Sequence, residues 1–234
     1  MKCDEKPKTR DKFEPVSPLV IVCEGYRDAR FICVLLNRLG ITNCDVTFPQ
    51  QARVEAADGD SGIPIMVGLL CERETVEGIA VVRDADLDAK DSFRKVCEGY
   101  VKPFTAPKEA FSVERKTKAS GVFLVPGKGQ TGTLEDLFIK AVSADHPELI
   151  DCVKKFEACN GRSGGWSDNK KAKLRMQCAI AGFCQDDPAC SLAYIWSKDE
   201  DNPINIAHQA FKELASFLRE FSTVLEPQES NPGQ

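Results

Sequence analysis

No apolar stretch in this sequence approaches the ~20 residues that a membrane-spanning helix needs, so no bilayer segment is expected. Histidine is scarce: only His146 and His208 occur, and the eleven cysteines contain no Cys-x-x-Cys pair. Structural zinc needs clustered Cys or His ligands at short spacing, so a zinc framework is not expected. The odd number of cysteines reads as free thiols in a reducing cytoplasm, with Cys23 and Cys33 as small core hydrophobes. Cys178, Cys184 and Cys190 recur every six residues, a spacing that suggests no ligand geometry. A basic excess is also missing. The net charge of −5 counts mildly against a nucleic-acid binder, although a carboxylate-rich site lowers net charge while basic patches persist locally. Met1-Lys2-Cys3-Asp4-Glu5-Lys6 has no apolar core behind it, so no secretory signal is expected. Gly127-Lys128-Gly129-Gln130-Thr131-Gly132 lacks the Walker spacing and reads as a flexible loop.

What is present is an ordinary globular composition, 42% hydrophobic and 29% charged over 234 residues, enough for one sizeable α/β domain. Leu19-Val20-Ile21-Val22-Cys23 has the length and β-branching of a strand buried on both faces. Phe31, Val34, Leu35 and Leu39 then follow at helical spacing, and Gly40 is a natural helix stop. Asp45 to Phe48 predicts a second strand, and residues 49 to 62 a loop. Ile65, Met66, Leu69 and Leu70 predict the apolar face of a helix, Ile79 to Val82 a strand, and Ser92 to about Tyr100 a weaker helix. A short edge strand fits within 101 to 120. Gly121 to Pro126 predicts a buried strand, and Thr133 with Asp136 a capping box opening a helix through Leu134, Leu137, Phe138 and Ala141. Helices are expected over His146 to Ala158, from Ser167-Asp168 through Cys178, and over Ile206 to Phe221.

This order predicts an α/β fold, a mostly parallel sheet flanked by helices with a helical C-terminal portion. The expected organisation is a flexible arm over 1–17, a core over 18–145, a helical portion packed on it over 146–226, and a disordered tail over 227–234.

In open parallel sheets ligands gather at the carboxyl ends of strands. Glu24 ends one strand, and the run Asp84-Ala85-Asp86-Leu87-Asp88 ends another. Extended geometry would point Asp84, Asp86 and Asp88 to one side. Carboxylates from separate strand ends suit magnesium, a hard cation that takes oxygen ligands and shares its shell with substrate phosphates. The bland readings stand beside this one. Glu24-Gly25 also fits a turn, the aspartate run a helix cap, and Glu135 a first-turn acid complementing a helix dipole.

Val22-Cys23-Glu24-Gly25-Tyr26-Arg27-Asp28 resembles the first Toprim motif, and Val82-Arg83-Asp84-Ala85-Asp86-Leu87-Asp88 the second, with its paired aspartates. Gly121 to Pro126, then Gly132-Thr133-Leu134-Glu135-Asp136-Leu137, then Lys171-Ala172-Lys173, extend the likeness over about residues 18 to 222. Together they are similar to a family of small stand-alone Toprim-like prokaryotic proteins related to the nuclease domain of OLD-family proteins. The resemblance implies a Toprim-like fold with Mg2+ (or Mn2+) as cofactor. It implies that Glu24 binds metal and orients the attacking water, with Asp28 as an accessory ligand. Asp84 and Asp86 would be the main ligands, Asp88 supporting, and Glu135 would complete a second metal position. Lys171 or Lys173, with Lys170 a third candidate, would neutralise charge on the transferring phosphate. Where relatives carry a glycine pair this chain reads Gln50-Gln51-Ala52-Arg53, a departure that bears on substrate contacts.

The functional expectation is a cytoplasmic, metal-dependent nuclease acting on DNA or RNA phosphodiesters in phage defence or repair. The alternative is a non-catalytic module that binds nucleic acid or a separate ATPase partner. A homo-oligomer is compatible with either. Primase or topoisomerase chemistry is disfavoured, because no tyrosine nucleophile stands out among Tyr26, Tyr100 and Tyr194.

Overall fold

The computed structural model describes residues 13–52, 59–161, 163–184, 187–197 and 202–226. Of the flexible arm expected over 1–17, residues 1–12 lie outside the described residues, as does the tail expected over 227–234; within 13–17, Phe13 is buried and the Val16 and Ser17 N–H groups donate to Asp45 Oδ2.

Five strands form one sheet: β1 (Leu19–Cys23), β2 (Cys44–Thr47), β3 (Gly78–Asp84), β4 (Val113–Arg115) and β5 (Ala119–Val125), in the order β2-β1-β3-β5-β4. All neighbours are parallel except the short edge strand β4, which runs antiparallel to β5. Every residue of β1 is buried, as its unbroken apolar run requires of a strand covered on both faces. Alternation divides the sheet residues between two cores. Leu19, Ile21, Cys23, Ala80, Val82, Phe123 and Val125 face one, and Val20, Val22, Ile79, Val81, Val122 and Leu124 the other.

Seven α-helices cover the sheet among the described residues: α1 (Tyr26–Leu39), α2 (Gly59–Cys71), α3 (Ala89–Cys97), α4 (Leu134–Asp145), α5 (Pro147–Cys159), α6 (Asp168–Phe183) and α7 (Lys212–Ser222). α1, α4, α6 and α7 contribute to the first core, and α2 and α3 to the second. α1 ends where predicted, with Gly40 in the left-handed conformation at φ 71° and its N–H returned to the last turn. The helical C-terminal portion is seated by aromatic rings. Phe31 of α1 lies 4.8 Å from Phe138 of α4, 5.2 Å from Trp196 and 5.4 Å from Phe211, centroid to centroid. Such pairs add about 0.5–1.5 kcal/mol each beyond their buried area. No helix among the described residues is long and apolar enough to cross a membrane.

Four expectations change. In α2 the buried residues are Ile63, Met66, Val67, Leu70 and Cys71, whereas Ile65 and Leu69 face out at 48% and 45% exposure. The helix carries apolar residues all round, so its period does not define the inner face. The loop expected over 49–62 holds a 3-10 turn, Pro49–Ala52, and the start of α2. The last helix begins at Lys212, after a separate turn over Gln209–Phe211 that His208 caps by accepting the Ala210 N–H at 3.1 Å. Finally, the Gly127–Gly132 loop is tethered rather than loose. Gly132 exchanges two backbone hydrogen bonds with Asp86, at 2.8 and 2.9 Å, and the Lys128 N–H donates to Glu213 Oε2.

Candidate functional site

The chain leaves β1 toward β2 on one side through α1, then returns through α2 to β3 on the other side of β1. The carboxyl ends of β1 and β3 therefore flank a topological switch point, where open α/β sheets leave a crevice. Register aligns Cys23 with Val82. The next residues, Glu24 and Arg83, lie side by side, and Asp84 is one step further.

A pocket of about 640 Å³ opens there, lined by Glu24, Asp28, Asp84 and Glu135, by Tyr26, Phe48 and Gln50, and by Lys173, with Gly25, Arg27, Ser191 and Ala193. Each acid reaches it by a different route. Glu24 follows β1, and Asp28 is in the first turn of α1, where its Oδ2 accepts the Gly25 N–H at 3.1 Å. Asp84 closes β3 and accepts the Leu134 N–H at 2.8 Å on Oδ1, satisfying one of the unpaired donors that begin α4. Glu135, only 8% exposed, is the second residue of that helix.

The acids feel one another. Burial, then the Glu135 charge, pushes the Asp28 carboxyl up to about 6, against the Gly25 N–H and the positive charges of Lys173 and Arg27. Asp84 is raised well above the usual carboxylate range, first by burial and then by Glu24, Asp28 and Glu135. Negative charge is thus crowded beyond what the neighbouring cations offset.

In kind and in charge this donor set fits a hard divalent cation: oxygen ligands only, from four separate backbone positions. One oxygen of each of three acids is engaged by a protein donor. Glu24 is held by Arg83, Asp28 by Gly25 and Asp84 by Leu134. Among the described residues no three His, Cys, Asp or Glu side chains form a ready-made metal group. Glu24, Asp28, Asp84 and Glu135, which line the pocket, are the residues that could hold one.

Two of the acidic sequence candidates are not among the pocket residues. Asp86 was expected to share a side with Asp84, but its backbone is left-handed at φ 53°, so the extended run stops there. Its carboxylate takes Arg83 Nη2 at 3.3 Å and the Asn169 amide at 3.0 Å. It thereby anchors the start of α6, the helix that carries Lys173 to the pocket. Asp88 was expected as a supporting ligand. Instead it is the exposed N-cap of α3, accepting the N–H groups of Lys90 and Asp91.

The three lysines separate cleanly. Lys173 lines the pocket, Lys171 Nζ lies 3.8 Å from Asp168 Oδ1, and Lys170 stands over the Trp166 ring at 4.3 Å.

Sequence reasoning passed over Arg83 and, Lys173 apart, the roles of the non-acidic lining. Arg83 is a cation inside an apolar strand, which is a usable signal of a buried ion pair. Gln50 was noted only as a departure from relatives. Ser191 and Ala193 carry no local pattern that could mark them.

No curated protein and no solved structure matches the chain. A family model covers residues 18–223, and the chain belongs to that family, described as Protein of unknown function (DUF3226).

Proposed function

We propose that this protein is a Toprim-like, magnesium- or manganese-dependent nuclease that cuts nucleic-acid phosphodiesters in the cytoplasm, in phage defence or repair. One observation carries the reading: carboxylates from β1, α1, β3 and α4 enclose a single pocket at the switch point of a parallel sheet. Glu24, Asp28, Asp84 and Glu135 would hold the cation, which supplies Lewis-acid polarisation of the phosphate and activation of water. The chain's own residues do the rest. Lys173 offers positive charge to the non-bridging phosphate oxygens. Glu24, at the pocket, orients the nucleophile. Arg83 and Asp86 position Glu24 and α6 respectively.

The test is incubation of the purified protein with plasmid DNA and with structured RNA, each with Mg2+ or Mn2+, beside Asp84→Ala. Metal-dependent cutting that falls at least about a hundredfold in the variant is expected. No cutting by the folded protein with either metal, or equal cutting by the variant, overturns the reading.

A second reading is favoured by a specific feature: Glu24 is paired with Arg83, and no metal group is ready-made among the described residues. On that reading the pocket belongs to a non-catalytic module that binds nucleic acid or a separate ATPase. It predicts binding without cutting, unchanged in Asp84→Ala.

A further inference from the structure

We infer that Tyr26 and Phe48 form a nucleobase platform on the pocket wall, so that the ligand is an unpaired stretch of single-stranded nucleic acid rather than a duplex. The inference rests on the reading of the pocket as a phosphodiester site and names the form of nucleic acid it takes.

Tyr26 is the first residue of α1, two positions beyond Glu24. Tyr26 as a residue is 39% exposed, whereas Phe48 beside it is 6% exposed. The two rings lie 6.0 Å apart at an interplanar angle of 55°. Phe48 lies beside the tyrosine, and both residues line the pocket. A large ring left open at a polar pocket loses the hydrophobic stabilisation that burial would give it. The face of a base restores that burial. Aromatic stacking of this kind is how proteins hold successive unpaired bases, and it tolerates any sequence because every base has a π-face.

Gln50, on the turn that follows Phe48, lines the same pocket. Its amide supplies both a donor and an acceptor for a base edge. The acids and the platform line one pocket of about 640 Å³, so a phosphate at the acids and a base on Tyr26 would share it. In a duplex the base faces are taken by neighbouring pairs, and presenting one requires flipping it out at an energetic cost.

The test is fluorescence anisotropy with calcium replacing magnesium, so that the oxygen ligands are engaged while binding is read without cleavage. The probe is a labelled strand of about 12 nucleotides, within known single-strand site sizes, and its duplex. Wild-type protein is expected to hold the single strand at least roughly tenfold more tightly than the duplex. Tyr26→Ala should lose roughly tenfold and Tyr26→Trp should recover it, because stacking rather than helix packing is read. Phe156→Ala, which removes the ring of a residue 50% exposed on α5, should change nothing. Duplex binding as tight as single-strand binding, an unchanged Tyr26→Ala, or a Tyr26→Trp as weak as Tyr26→Ala each overturns the inference. Adenosine monophosphate competing as strongly as the strand overturns it as well, since the site would then take a free nucleotide. The outcomes separate the two claims. Stacking-dependent binding without cutting in magnesium removes the nuclease reading alone, and cutting that is indifferent to Tyr26 removes the platform alone.

Discussion

Arg83 Nη2 lies 3.1 Å from Glu24 Oε1, so the acid that follows β1 is held by a residue of β3. The Arg83 side chain is fully buried, and Glu24 keeps 22% of its side-chain surface. Removing one partner of a buried pair leaves an uncompensated charge, which costs about 3–5 kcal/mol when both are enclosed. Here the acids are partly wet, so Arg83→Met is expected to lower stability by about 2 kcal/mol. The check is the urea midpoint without and with Mg2+. Because a cation can take over the neutralisation of Glu24, Mg2+ should raise the midpoint of Arg83→Met more than that of the wild type. An equal rise in both would show that Arg83 and the ion do not compete for this carboxylate.

The pH dependence of metal-free protein follows from Asp28. Its folded value, about 6, is above the ordinary 3.8, raised by burial and by Glu135. The folded state therefore holds the proton more tightly than the unfolded chain. That contribution to stability is full below about pH 4 and is lost as pH rises through about 6. In chelator, thermal stability is expected to fall across this interval, and Asp28→Asn should flatten the decline. Some slope should remain, since Asp84 is displaced in the same direction. A stability that rises over the interval in chelator and is untouched by Asp28→Asn would contradict the crowding of these acids.

The strands and the pocket acids at their ends, Glu24 and Asp84, were legible because both rest on local rules, whereas Asp28 and Glu135 came only with the resemblance. An unbroken run such as Leu19–Cys23 announces a strand buried on both faces, and the strand-end rule then points at Glu24 and Asp84. Asp86 was misread because its turn is fixed by pairing with Gly132, a contact that no local pattern contains. Lysines 170, 171 and 173 could not be ranked, since at about 100° per residue they sweep most of a helix circumference. Only the packing of α6 shows which one meets the pocket. Tyr26 looked like one more residue of the first motif. Its meaning depends on Phe48, which arrives from the far end of β2.

Lys173 is the cation that the proposed chemistry depends on. Removing a preorganised group that stabilises transition-state charge costs about 10²–10³ in turnover. Lys173→Ala is expected to lower the cleavage rate about a hundredfold, in kcat more than in KM. Lys171→Ala and Lys170→Ala should stay near the wild-type rate, since those side chains are engaged with Asp168 and Trp166. Initial rates for the three variants under saturating substrate decide it. A loss shared equally by all three would point to a diffuse electrostatic effect instead.

The packing of α2 on α3 provides a test of the fold that is independent of function. A Cβ placed on Gly99 would stand 2.6 Å from Pro64 O and 2.7 Å from Pro64 Cα, both backbone atoms that no side-chain rotation can move aside. Gly99→Ala is therefore expected to cost about 1–3 kcal/mol, the usual penalty of overpacking. Gly68, within α2, faces the same contact from the other side, but its Cβ would lie an ordinary 3.7 Å from Gly99 O. There the alanine removes a helix-interior glycine without a clash, and a gain of about 0.5–1 kcal/mol is expected. The two substitutions should thus shift the urea midpoint in opposite directions. Shifts of the same sign would mean that α2 and the end of α3 do not meet backbone to backbone at Pro64.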